Sequence, residues 1–129
     1  MTAAPDGMTG RVVLVVEDEY LLAEGLADYL RARGAEVVGP AGTVADALQL
    51  LQSTRLHGAI LDINLRNERV YPVADLLLHR GVPFVFATGY GGELEQPAYA
   101  DVPRCIKPFD FAVVAKALLQ RMEARAEAR

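Results

Sequence analysis

Five side chains that could do chemistry stand at the ends of short apolar runs in this sequence. They are the carboxylates of Glu17, Asp18 and Asp62, the hydroxyl of Thr88 and the ammonium of Lys107. Short runs of apolar, largely β-branched residues predict strands that are buried on both faces of a sheet. In an open parallel sheet, ligands bind outside the carboxyl ends of the strands. We therefore expect the five side chains to meet at one edge of one sheet.

Three carboxylates in one crevice predict a metal site. Like charges repel and raise one another's pKa values unless a cation neutralises them. Mg2+ prefers oxygen ligands and keeps several of its waters, so two carboxylates and one backbone carbonyl would be enough to hold it. Glu17, Asp18 and Asp62 therefore indicate a Mg2+ site.

Thr88 and Lys107 add a hydroxyl donor and a mobile ammonium at the same edge. Two donors, a metal and a free carboxylate together describe a site for a phosphoryl group. Asp62 is the candidate nucleophile, since an aspartate can become an aspartyl phosphate. Each residue also has a structural interpretation, such as a helix cap for the acidic residues or a turn for Thr88. Their coincidence at the ends of four predicted strands favours a common site.

The rest of the sequence alternates predicted strands and helices. Strands are predicted at residues 11–16, 35–39, 58–61, 83–87 and 102–106. Helices are predicted before Gly34, after Thr43, from Pro72 to Gly81, between Gly89 and Asp101, and after Asp110. This alternation predicts an α/β fold, a doubly wound five-stranded parallel sheet with five helices and strand order 2-1-3-4-5. Its switch point lies between strands 1 and 3, which carry the three carboxylates.

One domain accounts for the 129 residues. We predict a flexible tail over residues 1–10, the folded domain over residues 11–122 and a frayed helix end over residues 123–129. The net charge of −4 disfavours a nucleic-acid-binding protein, and no apolar run is long enough for a membrane span. The single Cys105 and the absence of a signal-peptide pattern indicate a protein of the reducing cytoplasm.

With these motifs in place, residues 11–122 resemble the receiver domain of bacterial two-component response regulators. The resemblance rests on the acidic pair, on the acceptor in Leu61-Asp62-Ile63-Asn64-Leu65, on Thr88 and on Lys107-Pro108-Phe109. It implies a flavodoxin-like receiver fold. The segment Phe86-Ala87-Thr88-Gly89-Tyr90 together with Lys107-Pro108-Phe109 is similar to the "FAT GUY" subgroup, which consists mostly of stand-alone receivers.

The resemblance implies a phosphorelay function rather than an enzyme with its own substrate. Asp62 would take a phosphoryl group from the phosphohistidine of a histidine kinase or a histidine phosphotransfer protein. Asp18, Asp62 and the backbone carbonyl of Asn64 would hold Mg2+, and Glu17 would help through a water. Because the sequence ends after the last predicted helix, we expect no attached output domain. The output would be binding to a downstream protein, or the domain would act as a phosphate sink.

Two departures from the family pattern bear on how the signal leaves the site. The usual aromatic switch three residues before the lysine is replaced by Arg104. The segment between Thr88 and Lys107 has only 18 residues, and its glycines and Pro97 leave about one turn of helix. We therefore expect Tyr90, linked to Thr88 through Gly89, to serve as the switch.

Two other functions fit parts of the pattern. A Mg2+-dependent phosphatase would also form an aspartyl phosphate, but it commonly has a second Asp two residues after the nucleophile, where this chain has Asn64. A receiver that binds partners without phosphorylation is the other alternative. The intact acidic pair, Thr88 and Lys107 argue against it.

Overall fold

The computed structural model describes residues 7–89 and 97–127 of the chain. A parallel sheet contains β1 (Val12–Val16), β2 (Glu36–Ala41), β3 (Gly58–Leu61), β6 (Phe84–Thr88) and β7 (Arg104–Ile106). A separate hairpin consists of β4 (Asn64–Leu65) and β5 (Glu68–Arg69). The helices are α1 (Tyr20–Ala32), α2 (Val44–Ser53), α3 (Tyr71–Arg80) and α4 (Phe111–Glu127).

The order of the sheet, β2-β1-β3-β6-β7, confirms the predicted doubly wound topology. All neighbouring strands pair in parallel. The described part of the chain has four α-helices where five were predicted. The fifth helix was predicted between Gly89 and Asp101. Residues 90–96 of that stretch lie outside the described ranges. Its end, Pro97–Tyr99, forms a short 3-10 helix.

Successive strand residues point to opposite faces of the sheet, and a hydrophobic core lies on each face. Leu14, Leu61 and Phe86 face the core beneath α2 and α3. Val15, Ile60 and Val85 face the core beneath α1 and α4. Because both faces are covered, β1, β3 and β6 consist almost wholly of buried apolar residues, which is the pattern that the sequence showed.

Predicted helix ends are confirmed where the sequence had a capping residue. The Thr43 hydroxyl accepts a hydrogen bond of 3.1 Å from the Asp46 N–H at the start of α2. Gly81 ends α3 with a φ of 69°, a left-handed conformation that glycine adopts without strain. Thr43 thus marks where the chain enters α2 after β2, and Gly81 marks where it leaves α3 before β6.

The end of β2 differs from the prediction. The strand was expected to stop before Pro40, but it continues to Ala41. The pairing of β1 and β2 shifts register between Leu14 and Val16. Since β2 is an edge strand, a proline at this irregularity removes no essential hydrogen bond from the sheet. The Glu17 N–H then donates to the Ala41 carbonyl at 2.9 Å, so the sheet remains paired up to the first acidic residue.

The segment after Leu65 was predicted as a loop, but it contains the β4–β5 hairpin. Asn67 turns the chain with a φ of 63°, a conformation that asparagine tolerates better than most residues. The Glu68 carboxylate accepts a hydrogen bond of 2.9 Å from the Val44 N–H at the start of α2. The loop beyond β3 is therefore anchored to a neighbouring helix.

The described residues before β1 pack against the domain. Met8 was placed in a flexible tail, but its side chain is only 1% exposed and packs in the core beneath α1 and α4. The Gly10 N–H donates to the Gly34 carbonyl at 3.0 Å. At the other end, α4 continues to Glu127, and fraying of the helix end over residues 123–129 stays a prediction. Among the described residues, no helix combines the length and the apolar character that crossing a membrane requires.

Candidate functional site

The paired strands bring the predicted site residues to one edge of the sheet. Val16 of β1 lies opposite Leu61 of β3, so the residues that follow them, Glu17 and Asp62, leave the sheet side by side. The Asp62 N–H donates to the Val16 carbonyl at 2.9 Å. On the other side, the Lys107 N–H donates to the Thr88 carbonyl at 2.7 Å. The carboxyl ends of four strands thus meet, as the sequence predicted.

Glu17, Asp18 and Asp62 form an acidic cluster. One carboxylate oxygen from each lies within 4.8 Å of the other two. Asp62 and Glu17 are buried, with 3% and 6% of their surface exposed, while the Asp18 side chain is 23% exposed. Hard oxygen donors at this spacing fit a small divalent cation, so the residues present suit the Mg2+ that the family resemblance implies.

Lys107 lies between two of the carboxylates. Its Nζ is 3.0 Å from an oxygen of Asp62 and 3.0 Å from an oxygen of Glu17. Burial lowers the pKa of Lys107, but the hydrogen bonds with Asp62 and Glu17 outweigh it, and the net shift is upward. The lysine is therefore a permanent cation at neutral pH, and it offsets one of the three negative charges.

Despite the nearby ammonium of Lys107, the pKa of the Glu17 carboxyl is raised. Burial raises its pKa from 4.5 to about 7, a hydrogen bond from the Glu19 N–H opposes the rise, and the charge of Asp62 adds to it. The charge of Lys107 lowers the pKa of Glu17 by less than these effects raise it. A divalent cation at this cluster would favour the ionised form of Glu17.

The β4–β5 hairpin orients the Asp62 carboxylate through Asn64. The Asn64 N–H donates to Asp62 Oδ1 at 3.1 Å, while Lys107 holds Oδ2. The two oxygens of Asp62 therefore have different partners, which fixes the plane of the carboxylate. The family resemblance implied only a backbone-carbonyl role for Asn64, so this contact was not predicted. A short polar residue two positions after the aspartate, at the start of a turn, was the available signal.

Arg66 is a second residue whose position the sequence did not predict. Its Nε lies 4.0 Å from an Asp18 oxygen, and its side chain is 81% exposed. At this distance and exposure the pair contributes little to stability. Its position follows from the turn of the β4–β5 hairpin, which the sequence analysis took for a loop.

Thr88 is buried at the same edge, with 1% of its surface exposed. Its hydroxyl oxygen has no hydrogen-bond partner among residues 7–89 and 97–127. A buried hydroxyl that makes no hydrogen bond is unfavourable, and at a ligand site it is available to a group that arrives later. A phosphoryl oxygen is such a group.

The predicted switch residue, Tyr90, lies outside the described residues. The far end of its segment is anchored. The Tyr99 ring is fully buried, stacks on Tyr71 with centroids 5.3 Å apart, and meets Phe86 edge-on at 5.6 Å. Its hydroxyl hydrogen-bonds to the Asp75 carboxylate on α3. Tyr99, eleven residues after Thr88 in the sequence, is therefore held in place by the core.

Comparison with known proteins gives the family. No protein-family model matches the chain. The solution structure of SdrG from Sphingomonas melonis is 40% identical with a TM-score of 0.75, over 95% of this chain and 99% of that one. The receiver domain of the response regulator PhyR from Erythrobacter litoralis is 25% identical with a TM-score of 0.74, over 90% and 92% of the two chains. This chain belongs to the receiver-domain family of response regulators.

Among curated relatives, the phyllosphere-induced regulator PhyR of Methylorubrum extorquens is 33% identical to this receiver domain over 125 residues, or 88% of this chain. The match covers 45% of that protein. The receiver domain spans less than half of the length of the curated relatives that it matches. The family prediction made from the site motifs is thus confirmed.

Replacing Thr88 by valine tests the unpaired hydroxyl in the resting protein. Valine has nearly the same shape without the hydroxyl, so we expect the free energy of unfolding to stay constant or rise by up to about 1 kcal/mol. The converse change, Val85→Thr in the same buried strand, should lower it by about 1–3 kcal/mol. Urea unfolding measures both. A loss of more than about 1 kcal/mol in Thr88→Val would show that the hydroxyl is paired at rest.

Proposed function

We propose that this receiver domain accepts a phosphoryl group on Asp62 from the phosphohistidine of a histidine kinase or a histidine phosphotransfer protein, in a Mg2+-dependent cytoplasmic phosphorelay. The observation that carries the proposal is the position of Lys107, which contacts both Asp62 and Glu17 inside the acidic cluster. An aspartate paired with a mobile cation beside a divalent-metal site is equipped for phosphoryl transfer.

In the proposed step, an oxygen of Asp62 attacks the phosphorus of the phosphohistidine. The new P–O bond forms as the P–N bond breaks, and the electron pair of the broken bond stays on the imidazole nitrogen. The Asn64 N–H holds the carboxylate in its orientation. Lys107 exchanges its contact with Asp62 for one with a phosphoryl oxygen, and the unpaired Thr88 hydroxyl donates to another.

Glu17, Asp18, Asp62 and the backbone carbonyl of Asn64 are the groups we propose for Mg2+. When bound, Mg2+ would supply positive charge that offsets the negative charge of the transferring group. The three carboxylates and one ammonium leave a formal charge of −2 when all are ionised, so a divalent cation balances the cluster. With its charge offset in this way, the site would repel an incoming phosphoryl group less.

The phosphodonor would dock on the first turns of α1 and α4, next to the site. These helices pack on the same face of the sheet, where the ring of Phe111 lies 3.1 Å from the position that a Cβ on Gly25 would take. Three large apolar side chains are exposed there. They are Tyr20 at 72%, Leu21 at 84% and Val113 at 57%. Exposed apolar clusters of this kind are typical of protein interfaces.

For the output, we propose that Tyr90 responds when Thr88 turns to the phosphoryl group. The backbone continues from Thr88 through Gly89 to Tyr90, and Tyr99 anchors the far side of the segment. A downstream protein would bind the altered surface, unless the domain serves as a phosphate sink.

Asp62→Asn should abolish labelling by acetyl phosphate or by a phosphorylated kinase, because an amide is not a nucleophile at phosphorus. EDTA should have the same effect on the native protein. Incorporation of 32P with and without Mg2+ measures both. Asp28→Asn, an exposed carboxylate on α1, is the matched control and should be labelled normally. Equal labelling of Asp62→Asn and the native protein would contradict the assignment.

Lys107→Ala should remain folded but lose the response to phosphorylation. The phosphoryl group would have no ammonium to pair with, and the movement of Lys107 from Asp62 to a phosphoryl oxygen could not occur. Amide hydrogen exchange along β6 and β7, measured with and without beryllofluoride and Mg2+, reports the response. Lys107→Arg keeps the charge with a planar geometry and should restore it only in part. An unaltered response in Lys107→Ala would remove the lysine from the mechanism.

Leu21→Ala should slow transfer from a protein phosphodonor by about fivefold or more, because it removes an exposed apolar side chain from the proposed interface. Labelling by acetyl phosphate, which needs no protein docking, should keep its native rate. Leu78→Ala on α3 is the matched control, since Leu78 is also exposed but on the other face of the sheet. A loss with both donors would place the effect inside the site rather than at an interface.

A further inference from the structure

A cavity at the amino edge of the sheet, opposite the acidic site, is lined by basic side chains. It has a volume of about 480 Å³ and lies where β1, β3 and β6 begin and where α2, α3 and α4 end. Its lining includes four arginines and a histidine, and no carboxylate. These are Arg11, Arg55, His57, Arg80 and Arg125. Four of the 13 cationic residues of a chain with net charge −4 thus surround one cavity.

The cavity continues into a smaller one of about 290 Å³. The two share the wall formed by Gly81, Val82 and Pro83 and the side chain of Arg125, and the smaller cavity adds Arg121. Again no acidic side chain lines it. We call the two together the amino-edge cavity.

The arginines of the amino-edge cavity have no carboxylate partner in the described part of the chain. Among residues 7–89 and 97–127, none of the five arginines forms an ion pair with a carboxylate. Arg80 and Arg121 instead donate to the backbone carbonyls of Leu51 at 2.9 Å and Asp101 at 3.3 Å. Like charges gathered without a counter-charge repel one another, and an anion would relieve the repulsion.

Helix dipoles explain only part of this arrangement. A helix C-terminus favours cations, which accounts for Arg80 and Arg125 in the last turns of α3 and α4. Arg11 precedes β1, and Arg55 lies between α2 and β3, so neither belongs to a last helical turn. Two of the four cations around the main cavity therefore need another explanation.

Two details concern the donors around the cavity. The guanidinium of Arg125 lies close against Gly81, in the space that a Cβ at that position would fill. His57 Nδ1 accepts a hydrogen bond of 2.9 Å from the Val12 N–H, which leaves the proton of the neutral ring on Nε2 as a donor. Guanidinium groups and N–H donors are the groups that recognise phosphate.

We propose that the amino-edge cavity binds a small organic phosphate with at least two phosphoryl groups, of the nucleoside diphosphate class. The volume is within the range of small-molecule sites and exceeds what a single phosphate needs. Leu51, Leu56 and Met122 provide an apolar part of the wall for the organic moiety. The site lies at the opposite edge of the sheet from Asp62 and does not depend on the phosphorelay.

Isothermal titration with ADP in EDTA tests the proposal, with adenosine and pyrophosphate as partial ligands. ADP should bind saturably with one site, pyrophosphate should bind more weakly, and adenosine should not bind. The double variant Arg80→Gln/Arg125→Gln should weaken ADP binding by about tenfold or more, since two charged hydrogen-bond donors are lost. Arg31→Gln on α1, outside the cavity, should bind as the native protein does. Labelling of Asp62 should be unchanged in both variants.

The two histidines provide a second measurement on the native protein. His57 lines the cavity and His79 does not. On addition of ADP, the ring nitrogen resonances of His57 should shift along a saturation curve while those of His79 stay in place. The absence of saturable ADP binding, equal weakening in Arg31→Gln, or shifts confined to residues near Asp62 would each overturn the proposal.

Discussion

The mutual repulsion of three carboxylates at the carboxyl edge of the sheet is the constraint on which the site depends. One carboxylate oxygen each of Glu17, Asp18 and Asp62 lies within 4.8 Å of the other two, and Glu17 and Asp62 are buried. The ammonium of Lys107 lies 3.0 Å from oxygens of Glu17 and Asp62 and offsets one of the three negative charges, while burial raises the pKa of Glu17 to about 7. The cluster keeps a negative formal charge when all its groups are ionised, at the place where a metal would bind.

The architecture keeps that repulsion from opening the fold. Glu17 and Asp62 each stand one residue beyond a strand whose side chains are almost completely buried, and Thr88 is the last residue of another such strand. The hydrophobic cores on both faces hold the strands, and the backbone hydrogen bonds from Asp62 and Lys107 continue the sheet into the site. Buried charges are rarely a source of stability, so the apolar cores stabilise what the site destabilises.

The two edges of the sheet have opposite character. The carboxyl edge collects acidic residues, and the amino edge collects arginines without carboxylate partners in the described ranges. A parallel sheet with helices on both faces places all strand starts and helix ends on one side, which separates the two sets of residues by the length of the strands. One small domain in this way carries an acidic cluster at one edge of its sheet and a group of arginines at the other.

The sequence alone determined the strand order, the buried strands and the five side chains of the site. Buried parallel strands leave continuous apolar runs, and the residue after each run must lie at the carboxyl edge. Local caps such as Thr43 and Gly81 were predictable for the same reason, since they depend on neighbours in the chain.

Only the tertiary structure decided the contacts between distant segments. Asn64 orients Asp62 because a hairpin forms after β3, and Glu68 anchors that hairpin to α2. Met8 is buried because α1 and α4 leave space for it. The arginines of the amino-edge cavity come from four separate segments of the chain, since Arg121 and Arg125 both belong to α4. Periodicity and spacing report only what lies within a few residues, whereas these contacts depend on how packed elements meet in space.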